Sequence, residues 1–124
     1  MQPTLKKNDE ELKNIDKSGL KCTTIQVQGT SGFNFEIFNP EGLTQVDKLT
    51  LLITGADNGN NTPILIALRH NKSTTSNTAN YENITGNKTI TRSGNKYHVN
   101  ADQYSRYCIY YPSYYTLYIT EGAL

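Results

Sequence analysis

From Lys21 onward, apolar and polar residues alternate with a period of two, which is typical of strands that bury one face. In the third and fourth alternating segments the opposite face is also partly apolar, at Leu52 and Leu65, so these two segments are expected to be central strands. The predicted inward rows are Thr23, Ile25 and Val27; Phe33, Phe35 and Ile37; Leu49, Leu51 and Ile53; and Ile64, Ile66 and Leu68.

Shorter alternating segments follow in the second half of the chain, and residues that favour turns separate them. Gly86-Asn87 predicts a tight hairpin between two of these segments, and Ser93-Gly94-Asn95 predicts a further turn. The short strands are expected at 81–85, 88–92, 96–99, 104–111 and 114–120. The whole pattern predicts an all-β fold, a two-sheet β-sandwich or jelly roll of about eight or nine short strands.

Residues 1–20 differ from the rest and are expected to form an N-terminal helical or extended arm, with the β-sandwich domain at 21–124. Asn8 and Glu11 have the spacing of a capping box. The only apolar stripe of this helix consists of Leu12 and Ile15, with Leu5 one heptad before Leu12. Two interpretations remain: the helix lies across one end of the sandwich, or the arm attaches to a partner or a second copy through Leu5, Leu12 and Ile15.

Length and charge exclude several classes of protein. The 124 residues fit one domain, and a net charge of +1 without a basic run argues against nucleic-acid binding. No run reaches the roughly 18 apolar residues of a membrane span. The N-terminus has no apolar signal region, so we expect a protein made in a cytoplasm, unless Met1 restarts a mature secreted chain.

Tyrosine is the most unusual component, since the chain has nine Tyr and no Trp. Most of them lie in the last two predicted strands, on both faces. Aromatic residues suit half-buried strand positions, so the rings can be core residues, a recognition or subunit-contact surface, or a platform for sugar stacking. The candidates for surface contact or glycan stacking are Tyr107, Tyr111, Tyr114 and Tyr118.

Cys22 and Cys108 leave two interpretations open. In a chain without an export signal we favour two reduced thiols in strands, and the alternative is a disulfide that ties the first strand to a late one. Neither interpretation predicts a metal site, because no further Cys or His stands at ligand spacing.

Nothing in the sequence predicts catalysis, a cofactor or a metal. The segment starting at Asp57 has the oxygen donors of a calcium loop, but its twelfth position is Leu68 rather than Glu, so we expect a hairpin loop. His70 and His98 are isolated and are expected at the surface or at strand ends. Since no recognised catalytic motif occurs either, we expect a protein that is not an enzyme.

The order of a short charged arm and then a compact β-sandwich rich in Asn, Thr and Tyr resembles the capsid decoration and head-fibre proteins of tailed phages. The stretches 81–90 and 94–102 are also similar to modules of phage fibres and of carbohydrate-binding jelly rolls. The resemblance implies a non-enzymatic virion structural protein, often a dimer or trimer, whose arm contacts capsid or other virion proteins. The alternative is a carbohydrate-binding module of a secreted or cell-surface protein, with a host glycan as its ligand.

Overall fold

The computed structural model describes residues 19–57, 62–73 and 75–124. These residues form nine strands, and no helix among them is long and apolar enough to cross a membrane. The strands are β1 (Leu20–Val27), β2 (Phe33–Phe38), β3 (Lys48–Asp57), β4 (Thr62–Asn71), β5 (Asn80–Thr85), β6 (Ile90–Ser93), β7 (Lys96–Val99), β8 (Ser105–Pro112) and β9 (Thr116–Glu121).

Two antiparallel sheets make up the sandwich. One has five strands in the order β1-β8-β3-β4-β5, and the other has four in the order β6-β7-β2-β9. The predicted all-β sandwich is therefore confirmed. β3 and β4 pair antiparallel in the interior of the larger sheet, as their apolar second face predicts.

The core lies between the sheets and is built from the predicted rows. Val27, the β2 row and the β3 and β4 rows are buried, whereas Thr23 and Ile25 on the edge strand β1 are half-buried. Aromatic rings join the two layers: the Phe33 ring of the smaller sheet lies 4.9 Å from the Tyr107 ring of the larger sheet.

The hairpin predicted at Gly86-Asn87 is wrong. β5 pairs with β4 in the larger sheet and β6 pairs with β7 in the smaller one, so residues 86–89 cross between the sheets. The Asn83 side chain organises this crossing: its Oδ1 accepts from the Lys88 backbone N–H at 3.1 Å, and its Nδ2 donates to the Lys88 carbonyl at 3.0 Å. The turn predicted at 93–95 does join β6 to β7.

Cys22 and Cys108 form a disulfide with a Cα–Cα separation of 6.2 Å, so the favoured interpretation as reduced thiols is wrong. In the β1–β8 register Cys22 is opposite Tyr110, and Thr24 is opposite Cys108. The cysteines are thus diagonal neighbours on the outer face of the larger sheet, at a separation that suits a disulfide. Sequence separation alone could not reveal this pairing.

Two predictions concern residues outside the described part of the chain. The attachment arm with Leu5, Leu12 and Ile15 is one of them. The other is the hairpin loop expected at the segment that starts at Asp57, of which residues 58–61 are not described.

Candidate functional site

Tyr107 and Tyr111 are buried, so the prediction that they form a surface for contact or stacking is wrong. Tyr107 and Tyr111 lie on either side of Ile109 on the inner face of β8, which packs against the core. Their hydroxyls are paired inside the protein: Tyr107 donates to Asp57, and the Tyr111 hydroxyl lies 2.7 Å from Thr23 Oγ1.

Tyr114 and Tyr118 lie at the surface, with exposures of 41% and 68%. Tyr114 precedes β9, and its ring meets the Tyr115 ring edge-on. Tyr118 stands on the outer face of β9, and its ring contacts the edge of Phe38 at a centroid distance of 6.4 Å. The position of these two residues suits contact or stacking, while the role itself stays a prediction.

Register places a set of polar groups beside Tyr118 on the outer face of the smaller sheet. On the central strand β2, Glu36 lies between Tyr118 of β9 and Lys96 of β7. One rung along, Asn34 lies between Thr120 and His98. We call the resulting cavity of about 250 Å³ the Tyr118 cleft; it is lined by Asn34, Phe35, Glu36, Lys96, Tyr118, Thr120 and Leu124.

Asn34 fixes one end of the Tyr118 cleft. Its side-chain amide donates to the carbonyls of Gly122 at 3.1 Å and Ala123 at 2.9 Å, which holds the segment that brings Leu124 to the cleft. Its Oδ1 accepts from Nδ1 of His98 at 2.7 Å. Burial holds the pKa of His98 below its usual value, so this ring is neutral at pH 7.

The charged side chains in the lining of the Tyr118 cleft are those of Glu36 and Lys96. They are directly opposite each other on β2 and β7, yet no ion pair joins them. A carboxylate and an ammonium group are therefore both available beside an exposed aromatic ring. Such a ring can cover the apolar face of a ligand while charged groups form strong hydrogen bonds to its hydroxyls.

The sequence interpretation missed Glu36, Lys96, Asn34 and Thr120. For the two β2 residues a signal was present, since Asn34 and Glu36 alternate with the inward row of Phe33, Phe35 and Ile37. Their outward direction was therefore predictable. Their proximity to Lys96 and Tyr118 depends on pairing between strands far apart in sequence, which the pattern does not encode.

A buried polar cluster occupies one end of the sandwich. Asp57 accepts from Lys88 Nζ, from the Tyr107 hydroxyl and from Ser105 Oγ. Burial is the largest cause of a raised pKa for Tyr107, and its hydrogen bond to Asp57 adds to the effect. All four side chains are buried, so this cluster holds the fold together and offers no surface for a ligand.

A second buried cluster lies around His70. Its Nδ1 is 2.7 Å from the Tyr97 hydroxyl, and the Arg92 guanidinium stacks over the Tyr97 ring at 5.4 Å. Within the described part of the chain, no three His, Cys, Asp or Glu side chains gather in a way that could hold a metal ion.

Comparison with known proteins gives one structural relationship. No family model and no curated protein matches the chain. Among solved structures, the chain is similar to a tailspike protein, gp49 of the Acinetobacter baumannii bacteriophage Fri1, described as a capsular polysaccharide depolymerase. The TM-score is 0.53 at 12% identity, over 86% of this chain and 20% of that one. The chain thus shares a β-fold with about a fifth of a phage tailspike.

Proposed function

We propose that the protein is a saccharide-binding β-sandwich of a bacteriophage particle, and that the Tyr118 cleft is its binding surface. The observation that carries the proposal is that one cleft contains the exposed Tyr118 ring together with Glu36 and Lys96, two charged side chains that do not pair with each other. The sugar ring stacks on the tyrosine, and its hydroxyls take hydrogen bonds from the ammonium group and give them to the carboxylate.

The similarity to a phage tailspike supports both the assignment to a bacteriophage particle and the choice of a saccharide as ligand. That protein is described as acting on a capsular polysaccharide, and a domain-sized part of it has the fold of this chain. A β-sandwich of this kind suits a particle that must hold on to a polysaccharide-covered cell. The resemblance of the sequence to phage decoration and head-fibre proteins leads in the same direction.

Binding without hydrolysis fits the composition of the cleft. Glycoside hydrolysis ordinarily uses two carboxyl groups on either side of the scissile bond, roughly 5–9.5 Å apart. Glu36 is the single acidic side chain among the residues that line the Tyr118 cleft. It therefore acts as a hydrogen-bond acceptor for sugar hydroxyls.

The place on the particle is the second part of the proposal. Residues 1–20 attach the protein to capsid or other virion proteins, and the sandwich faces outward as a dimer or trimer. A shallow cleft of about 250 Å³ binds weakly as a single copy. Several copies on one particle convert weak contacts into stable attachment through avidity.

A glycan array with bacterial capsular polysaccharides, followed by titration of the best ligand, tests the saccharide proposal. We expect Tyr118→Ala to weaken binding at least tenfold and Glu36→Gln to weaken it several-fold. Tyr104→Ala is the matched control, because Tyr104 is 58% exposed but outside the cleft. A wild-type protein that binds no arrayed glycan, or equal binding by Tyr118→Ala, would contradict the proposal.

A further inference from the structure

The outer face of the larger sheet has a second concave surface, opposite the Tyr118 cleft. In the register of β1, β8 and β3, one rung contains Gln26, Arg106 and Ala56, and the next contains Thr24, Cys108 and Thr54. A cavity of about 640 Å³ lies over these rungs. We call it the Arg106 trough; its lining includes Thr24, Gln26, Gly55, Ala56 and Arg106.

Small side chains and close backbone packing produce the depth of this trough. Ala56 and Thr24 flank the strand that carries Arg106, and neither fills the space above the sheet. At Gly55 a Cβ atom would lie only 2.2 Å from the Arg106 carbonyl oxygen, so glycine allows β3 and β8 to meet there. The floor of the trough is consequently backbone, with Arg106 rising beside it.

Arg106 supplies the charge of the trough. Its side chain is exposed. Among the described residues the ion pair is that of Lys88 with Asp57, so no carboxylate there is paired with Arg106. The lining has one guanidinium group and no acidic residue. The amide of Gln26 and the hydroxyl of Thr24 add hydrogen-bonding groups next to it. The charge and shape of the trough suit a carboxylate, which guanidinium binds through two parallel hydrogen bonds.

An aromatic ring stands further along the same strand. Tyr110 is 37% exposed on the outer face of β8, between Cys22 and Leu52. It is four residues from Arg106, which separates the two positions by about 13 Å along the strand. This spacing lets one sugar of a polysaccharide cover Tyr110 while another sugar of the same polysaccharide presents its carboxylate to Arg106.

We propose that the Arg106 trough binds the carboxylate of a uronic acid in an acidic polysaccharide, with Tyr110 stacking on a neighbouring sugar. The proposal rests on the saccharide-binding function proposed above and extends it to a second site and a class of ligand. Each sandwich then contacts polysaccharide on two opposite faces, because the Tyr118 cleft lies on the other sheet.

The experiment uses a hexamer of galacturonic acid and the same hexamer after its carboxyl groups are reduced. Arg106→Gln is compared with Arg69→Gln, which removes the same charge from an exposed β4 residue outside the trough. We expect Arg106→Gln to weaken calorimetric binding of the acidic hexamer at least fivefold, and Arg69→Gln to change it less than twofold. Arg106→Lys should give an intermediate loss of affinity, because lysine keeps the positive charge but cannot form the two parallel hydrogen bonds of a guanidinium group.

The reduced hexamer separates carboxylate recognition from general sugar binding. Wild type and Arg106→Gln should bind it equally weakly. Equal binding of the acidic hexamer by Arg106→Gln and Arg69→Gln, or no binding of it by the wild type, would overturn the proposal. Tyr118→Ala distinguishes the two sites: if it changes nothing while Arg106→Gln weakens binding, the trough stands and the Tyr118 cleft does not.

Discussion

Lys88 Nζ lies 3.0 Å from Oδ2 and 3.1 Å from Oδ1 of Asp57, and both side chains are buried. Asp57 ends β3 in the larger sheet, and Lys88 lies on the segment that crosses to the smaller sheet. The ion pair therefore fixes the point where the chain changes layers. Tyr107 and Ser105 donate further hydrogen bonds to the same carboxylate, which offset the cost of removing it from water.

Removing the lysine charge should destabilise the protein strongly. Lys88→Met leaves the Asp57 carboxylate buried without a counter-charge, and breaking a buried pair in this way costs about 3–5 kcal/mol. Lys21→Met is the control, because Lys21 is exposed and a surface change of this kind stays within about 0.5 kcal/mol. Urea unfolding measures both.

The double variant Asp57→Asn with Lys88→Met tests whether the pair acts as a unit. Its loss of unfolding free energy should be clearly smaller than the sum of the two single losses, because residues in direct contact are not additive. Additive losses, or a Lys88→Met variant as stable as Lys21→Met, would show that the pair contributes little.

Stability should fall in mild acid because of His70. Burial, together with the nearby Arg92 charge, lowers the pKa of His70 from 6.5 to about 4. The unfolded chain therefore takes up a proton at a higher pH than the folded protein does. The stabilisation from neutral His70 is complete above pH 6.5, decreases as the pH falls toward 4 and is lost below that. The total change in unfolding free energy is roughly 3 kcal/mol.

His70→Gln checks this assignment, since glutamine cannot titrate and can still bond to the Tyr97 hydroxyl. The free energy of unfolding is measured for both proteins between pH 7.5 and 4. The wild type should lose more stability than the variant over that interval. Parallel curves would mean that other groups cause the acid sensitivity.

The alternation of apolar residues predicted the fold class and most of the core, but not which sheet each strand joins. The rows at Phe33 and Leu49 were correct because side-chain direction repeats every two residues whatever the strand pairs with. The sequence at Gly86 predicted a hairpin because a turn with glycine suits a hairpin and a crossing between sheets equally well. The structure shows that the Asn83 side chain holds the Lys88 backbone, which directs the chain across to the smaller sheet.

The candidate site was less predictable for a related reason. Tyrosines alternate with other residues on both faces of β8, so the sequence did not reveal that Tyr107 and Tyr111 face inward. The neighbours of Tyr118 come from β2 and β7, which are distant in the chain. Only the register of the smaller sheet brings Glu36 and Lys96 beside it.

The disulfide should contribute much of the stability of the edge strand β1. Cys22 and Cys108 are 86 residues apart, and closing a loop of that length lowers the entropy of the unfolded chain by an amount worth about 4–5 kcal/mol. We expect the double variant Cys22→Ser, Cys108→Ser to unfold at markedly lower urea. Dithiothreitol should lower the midpoint of the wild type and leave the double variant unchanged. Insensitivity of both proteins to the reductant would refute this prediction.

Attachment to the particle should depend on the apolar residues of the arm. The variant Leu5→Ser, Leu12→Ser, Ile15→Ser removes the apolar stripe predicted from the sequence and changes no residue of the predicted β-sandwich domain, 21–124. We expect it to bind saccharide like the wild type but to be missing from purified particles, as measured by quantitative mass spectrometry. Lys6→Gln, Lys7→Gln, Lys13→Gln is the control and should keep full occupancy. Because occupancy and saccharide binding are read separately, normal occupancy of the serine variant would refute the role of the arm and leave the Tyr118 cleft intact.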